Sequence, residues 1–185
     1  MWVWIVVAVL VVLVLFVILT YNRLVGLRNR VRNAWSQIDV QLKRRHVLIP
    51  NLVNAVQGYL DHERAVLENV TNARAAAISA GNNVAERAQA ENQLSQSLRS
   101  LFAVAEGYPQ LRANENMLAM QEVLSSTENR VAFARQGYND SVMQYNTSRE
   151  TFPSVLVAGP LGFNPESLFE LDDVAERAIP QVQFS

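Results

Sequence analysis

Residues 2–19 present eighteen consecutive apolar side chains, with no Gly, Pro or charge among them. At ~1.5 Å of rise per residue a helix of this run spans roughly 27 Å, close to the ~30 Å hydrocarbon core of a bilayer. The run predicts a transmembrane anchor over residues 1–20, with Leu10, Phe16 and Leu19 among its anchoring side chains. Trp2 and Trp4 mark its outer interface, where such rings prefer to lie. Beyond the run the pattern turns from solid to periodic. Leu24, Leu27, Val31, Trp35, Ile38 and Leu42 recur at alternating steps of three and four, with Arg30, Arg32 and Gln37 on the opposite face. That is coiled-coil spacing on one helical face, and the anchor is expected to continue into it without a break.

Pro50 then interrupts a helical pattern, and proline suits a first turn better than a helix interior. This places a tight turn near His46 and Val47 and a second helix over residues 48–79, a kinked helix continuing through Pro50 being the alternative. The second helix carries Ile49, Val53, Val56, Leu60, Leu67, Val70 and Ala77 on its face and ends at Gly81-Asn82-Asn83. A third helix, 84–107, buries Leu94, Leu98, Leu101 and Ala105 before Gly107 and Pro109 stop it.

Asn114 is placed to cap a fourth, 114–151, whose stripe runs Met117, Met120, Leu124, Thr127, Val131, Ala134, Tyr138, Ser141, Tyr145, Ser148, Phe152. So regular a repeat implies a sustained helix–helix seam. Its last half is polar and aromatic for a core, which reads as a wide bundle end with Tyr hydroxyls reaching solvent rather than as a ligand groove. The fold class is therefore all-α: anchor 1–20, an antiparallel up-and-down four-helix bundle over 21–152 with its first helix near 21–45, and an irregular tail over 153–185. Phe163, Leu168, Phe169 and Phe184 lie among five acids, Glu166, Glu170, Asp172, Asp173 and Glu176, in that tail, so it is expected to dock on the bundle or on a partner.

Charge changes the picture at one place. The net charge of −1 hides a segment, residues 23–45, with seven basic side chains against Asp39 alone, leaving −7 for the rest. No charge precedes the apolar run, so the positive-inside bias puts the N-terminus outside and the C-terminal domain in the cytoplasm of a single-pass inner-membrane protein. A cleaved signal peptide would need a basic start and a small-residue cleavage site, which residues 20–23 do not offer. Arg23 and Arg28 are expected at the lipid headgroups. Lys43, Arg44 and Arg45 read as cations complementing the dipole at a helix C-terminus. The membrane accounts for the basic segment better than nucleic acid does, since fifteen Arg and one Lys are offset by seventeen acids.

Candidate chemistry is sparse. The chain has no Cys, which removes disulfides, thiolate metal sites and a Cys nucleophile. A di-metal bundle site needs two Glu-x-x-His pairs, and neither His46 nor His62 has a Glu three residues before it. His62-Glu63 begins like a zinc-protease helix, but Val66 stands where the second His belongs. Glu91-Asn92 and Glu128-Asn129 recur on the third and fourth helices. They read as a structural polar pair bonding an arginine such as Arg130 or fixing register, rather than as an acid–base site. The sequons at Asn69, Asn139 and Asn146 are irrelevant for a cytoplasmic helical domain. No catalytic, metal or cofactor residues are expected.

Several short stretches, taken in order, resemble the LemA family of bacterial membrane-anchored helical proteins. They include Asn33-Ala34-Trp35-Ser36-Gln37-Ile38-Asp39, Leu48-Ile49-Pro50-Asn51-Leu52-Val53, Tyr108-Pro109, Thr127-Glu128-Asn129-Arg130-Val131-Ala132, Tyr138-Asn139-Asp140, Phe152-Pro153 and Gly162-Phe163. The resemblance implies an N-terminal anchor and a four-helix bundle and brings no catalytic residues with it. One departure is Val47, where relatives usually carry an acid that would cap a helix. The expected role is a scaffold or assembly module whose partners are the lipid bilayer and a protein or further copies of itself, without nucleic acid or a small-molecule substrate. The alternative is a ligand-binding or enzymatic domain using Tyr138, Tyr145, Glu91 and Glu128.

Overall fold

The computed structural model describes residues 1–60, 63–81 and 83–170. Among these the chain is all-helical, without strands. The expected bounds 48–79 do not hold, because α1 runs unbroken over Trp2–Gln57, with Pro50 inside it, for about 84 Å at the α-helical rise. The turn expected at His46 and Val47 is helical. The chain breaks instead at Gly58 and Tyr59, and α2 follows over Arg64–Ser79. Proline deprives the carbonyl four residues earlier of its amide donor, here His46. That carbonyl accepts from Nε of Arg74 on α2 at 2.7 Å, so the helix continues without leaving a bare acceptor. Val47 is exposed in mid-helix, where no capping acid is needed.

Gly81, at φ +65°, occupies the left-handed region that a side chain disfavours and turns the chain out of α2. Asn83 then caps α3 (Val84–Glu106): its Oδ1 accepts from the amides of Ala85 and Glu86, and its Nδ2 donates to Glu86 Oε1 at 3.0 Å. The oxygen satisfies donors that the first turn leaves free, and the side chain–side chain bond holds the capping Asn83 in place. Pro109, expected as a stop to the third helix, also begins a short helix α4 (Pro109–Arg112) at a position where its missing N–H costs nothing. Asn114 Oδ1 accepts from the amides of Asn116 and Met117 at the start of α5 (Glu115–Glu150), and α6 is a single turn, Val155–Ala158.

The described residues divide into two compact units, one of residues 1–41 and 131–168 and the other drawn from residues 42–130 with 169 and 170. In the first, the apolar run is exposed from residue 2 to 15, and burial begins at Thr20 and repeats at Leu24, Leu27, Val31 and Ile38. Val131, Tyr138, Val142 and Tyr145 of α5 are buried in the same unit, and the Trp35 ring lies 5.4 Å from that of Tyr138. Phe152, expected to close the stripe, is exposed, because α5 has ended two residues before it.

In the second unit α2 packs on α3. A core of Ile49, Leu52, Val56, Leu60, Leu67, Val70, Leu94, Leu98, Leu101, Leu111, Met117 and Leu124 forms there. Each fully buried Leu or Ile contributes roughly 1.5–3 kcal/mol relative to exposure.

Candidate functional site

Arg45 is the polar residue that the second unit is built around. Its side chain is 1% exposed, among the most deeply buried large side chains described. It extends the seven-residue series Leu24, Val31, Ile38 and precedes Leu52 by the same step, so it occupies a core position of α1. The dipole reading of Lys43, Arg44 and Arg45 therefore fails. All three lie inside α1 and its last turn holds no basic residue, while Arg45 points into the protein.

A guanidinium presents five N–H donors in a rigid fork. Here Nη1 donates to Ser95 Oγ at 2.9 Å and to Glu128 Oε1 at 2.7 Å. Nη2 donates to the Glu91 backbone carbonyl at 3.3 Å and to Glu91 Oε2. The Glu91 carboxylate is 2% exposed, whereas Glu128 sits at the surface end of the fork with 39% of its side chain exposed. Glu91 and Glu128 thus meet through an arginine, and that arginine is Arg45.

The neighbour in sequence completes the arrangement. His46 Nε2 lies 2.9 Å from Glu91 Oε1, close enough for an ion-pair contact but off the line of a straight hydrogen bond. Burial by itself raises the Glu91 pKa. The His46 contact and the positive charge of Arg45 outweigh it, and the carboxyl is held below the ordinary glutamate range. A carboxylate kept ionised against a fixed cation is a poor proton donor near neutrality. With the Arg74 bond to the His46 carbonyl, residues 45 and 46 of α1 tie down α2, α3 and α5 within this unit. Sequence reasoning missed Arg45 and His46, although the unbroken seven-residue spacing was a usable signal.

An open groove of about 430 Å³ lies beside the cluster, lined by Ser95, Leu98, Phe102, Leu124 and Glu128 among others. Among the described residues no three His, Asp or Glu side chains converge as a metal site needs. His62 lies outside the described residues.

The polar stripe of α5 has a different use, in the first unit. Tyr138 and Tyr145 are buried, and their hydroxyls donate to the carbonyls of Ser167 and Asn164, each at 2.8 Å. Asn146 grips the backbone of Glu166 from both sides, donating Nδ2 to its carbonyl at 2.8 Å and accepting from its amide at 3.0 Å. The Phe163 ring packs edge-on against Tyr21 at 5.6 Å and under the Arg28 guanidinium at 5.1 Å. The hydroxyls therefore do not reach solvent, because the extended chain after α6 covers them.

Burial, and next the charge of Glu166, push the Tyr138 phenol up to about 12. Tyr145 is raised by the same two causes, with Arg28 and Arg149 opposing. Arg28 is held by this ring contact, while Arg23 is exposed. Tyr138 and Tyr145 belong to one unit and Glu91 and Glu128 to the other. Among the tail residues, Phe163 and Phe169 are buried, Leu168 and Glu170 are exposed, and Asp172, Asp173, Glu176 and Phe184 lie outside the described residues.

The family model for the LemA family matches residues 34–184. Protein LemA of Metamycoplasma hominis is 23% identical over 153 residues, covering 83% of this chain and 70% of that relative.

Proposed function

Starting from the premise that this chain belongs to the LemA family, we propose that it is a single-pass membrane-anchored scaffold that presents a helical domain to protein partners or to other copies of itself. The observation that carries this reading is the continuity of α1. One helix of 56 residues begins as an exposed apolar run long enough to cross a membrane and ends in the core positions of a folded domain.

In this reading Trp2 and Trp4 lie at the outer interface, Arg23 meets the inner headgroups, and the domain is a cytoplasmic antiparallel four-helix bundle. The Arg45 cluster serves as its internal register device. Both terminal nitrogens of Arg45 are engaged by Ser95, Glu91 and Glu128, and the ionised Glu91 is a poor proton donor, which favours structure over catalysis. Common orientation and high local concentration in the bilayer favour self-association through coiled-coil-like seams. The domain acts on no nucleic acid or small-molecule substrate.

Cross-linking in intact membranes tests assembly: ladders of oligomers or a discrete heterologous product are expected, and monomer alone at every cross-linker length rejects the scaffold role. Protease added outside intact cells should leave the C-terminal domain whole, and trimming of residues after 150 would reverse the topology.

A further inference from the structure

Residues 151–165 contain no charged side chain, although α5 before them carries Arg135, Asp140, Arg149 and Glu150. The structure sorts this stretch into two sides. Ala158 and Phe163 are buried, whereas Phe152 (76%), Val155, Leu156 (64%) and Leu161 are exposed to solvent. Four large apolar side chains turned outward within ten residues form a concentrated patch of the kind that marks a binding surface.

Its location identifies what covers it. Phe163 packs on Tyr21, two residues past the apolar run and so ~3 Å further along α1. Leu161 is two residues from Phe163, which limits the separation of their Cα atoms to about 7.6 Å. Within the apolar run residues 2–15 are bare and Phe16 and Val17 are partly covered, and Thr20, just beyond the run, is buried. The Trp35–Tyr138 contact lies fourteen residues, or ~21 Å, further up α1, so α5 descends from it toward the foot of the anchor before the apolar loop begins.

We propose that residues 152–161 are a second, interfacial membrane contact. Phe152, Val155, Leu156 and Leu161 seat among the headgroups and upper acyl chains of the leaflet in which the apolar run of α1 ends, and the exposed Arg23 meets its anionic phosphates. A lone spanning helix leaves its domain free to rotate about the helix axis. A second point of insertion beside it fixes which face of the domain looks away from the bilayer. The inference rests on the proposed span of α1 and adds to it.

The chain has no Cys, so single labels are introduced without removing anything. Full-length Leu156→Cys, Leu10→Cys and Phe133→Cys are each spin-labelled and reconstituted in vesicles of mixed zwitterionic and anionic phospholipid. Collisions with a lipid-borne and a water-soluble relaxation agent are then compared. Phe133 is 79% exposed in the same unit and serves as the aqueous reference. The Leu156 label should favour the lipid-borne agent severalfold more than the Phe133 label, though less than the Leu10 label. If Leu156 matches Phe133 while Leu10 remains deep, the loop does not touch lipid and the span stands. If the Leu10 label is itself aqueous, the span falls and the inference with it. A Leu156 label shielded from both agents means protein covers the loop, which also overturns the proposal.

Discussion

Nε of Arg74 donates to the carbonyl of His46, the acceptor that Pro50 leaves without its helical partner. The bond spans 28 residues of sequence and explains how a proline is carried inside a helix. Arg74→Met should cost about 1–3 kcal/mol, the penalty for a covered carbonyl without a donor. Pro50→Ala restores the local amide, so Arg74→Met in that background should cost distinctly less. Denaturant unfolding of the four proteins in a double-mutant cycle measures the difference.

Arg45 is more exacting, because it neutralises a carboxylate that has no other route to solvent. Arg45→Met should destabilise the protein by about 3–5 kcal/mol, the cost typical of breaking a buried pair from one side. Replacing both partners, Arg45→Met with Glu91→Leu, should recover much of that loss, since two charges no longer need a dry site. Thermal unfolding in detergent distinguishes the outcomes. A double variant no better than Arg45→Met would mean that packing of the arginine stem, not charge, is what matters.

The depressed pKa of Glu91 makes stability depend on acid. Its folded pKa lies below the ordinary value of 4.5, so the native state holds fewer protons than the unfolded chain in that window. The stabilisation is complete above the ordinary value and is lost as pH falls through the folded pKa. Melting temperature should therefore drop on acidification below about 4.5, and Glu91→Gln should flatten that part of the profile while lowering stability at neutral pH.

The segment from Phe163 to Ser167 is held on α5 by side chains that read backbone. Tyr138→Phe removes one such bond and should cost about 0.5–1.5 kcal/mol, with faster proteolysis in the held segment as its signature. Phe163→Ala, which empties the space against Tyr21 and Arg28, should cost about 3–5 kcal/mol. Alkali provides a second readout. Tyr138 keeps its proton to about 12 when folded but loses it near 10 when unfolded, so its contribution is present below 10 and is lost as pH rises toward 12. Tyr138→Phe should remove that alkaline component.

What the sequence by itself determined is what repeats locally. Eighteen apolar residues declare a helix long and apolar enough to cross a membrane, and Leu24, Val31 and Ile38 declare a helical face, because a turn of helix is a property of neighbours. Asn114 and Gly81 were legible as a cap and a turn for the same reason. The tertiary structure decided everything that depended on a distant partner. Pro50 reads as a break until Arg74 arrives from the next helix. Arg45 reads as a cation at a helix C-terminus until Glu91 and Glu128 come within hydrogen-bond reach across 46 and 83 residues.

The tyrosines of α5 read as a wet bundle end because the chain that covers them, at Asn164 and Ser167, is extended and has no period to announce it. The seven-residue spacing can place a charge or a hydroxyl on a core face, but it does not say what will satisfy that group there. Only the fold brings the partner.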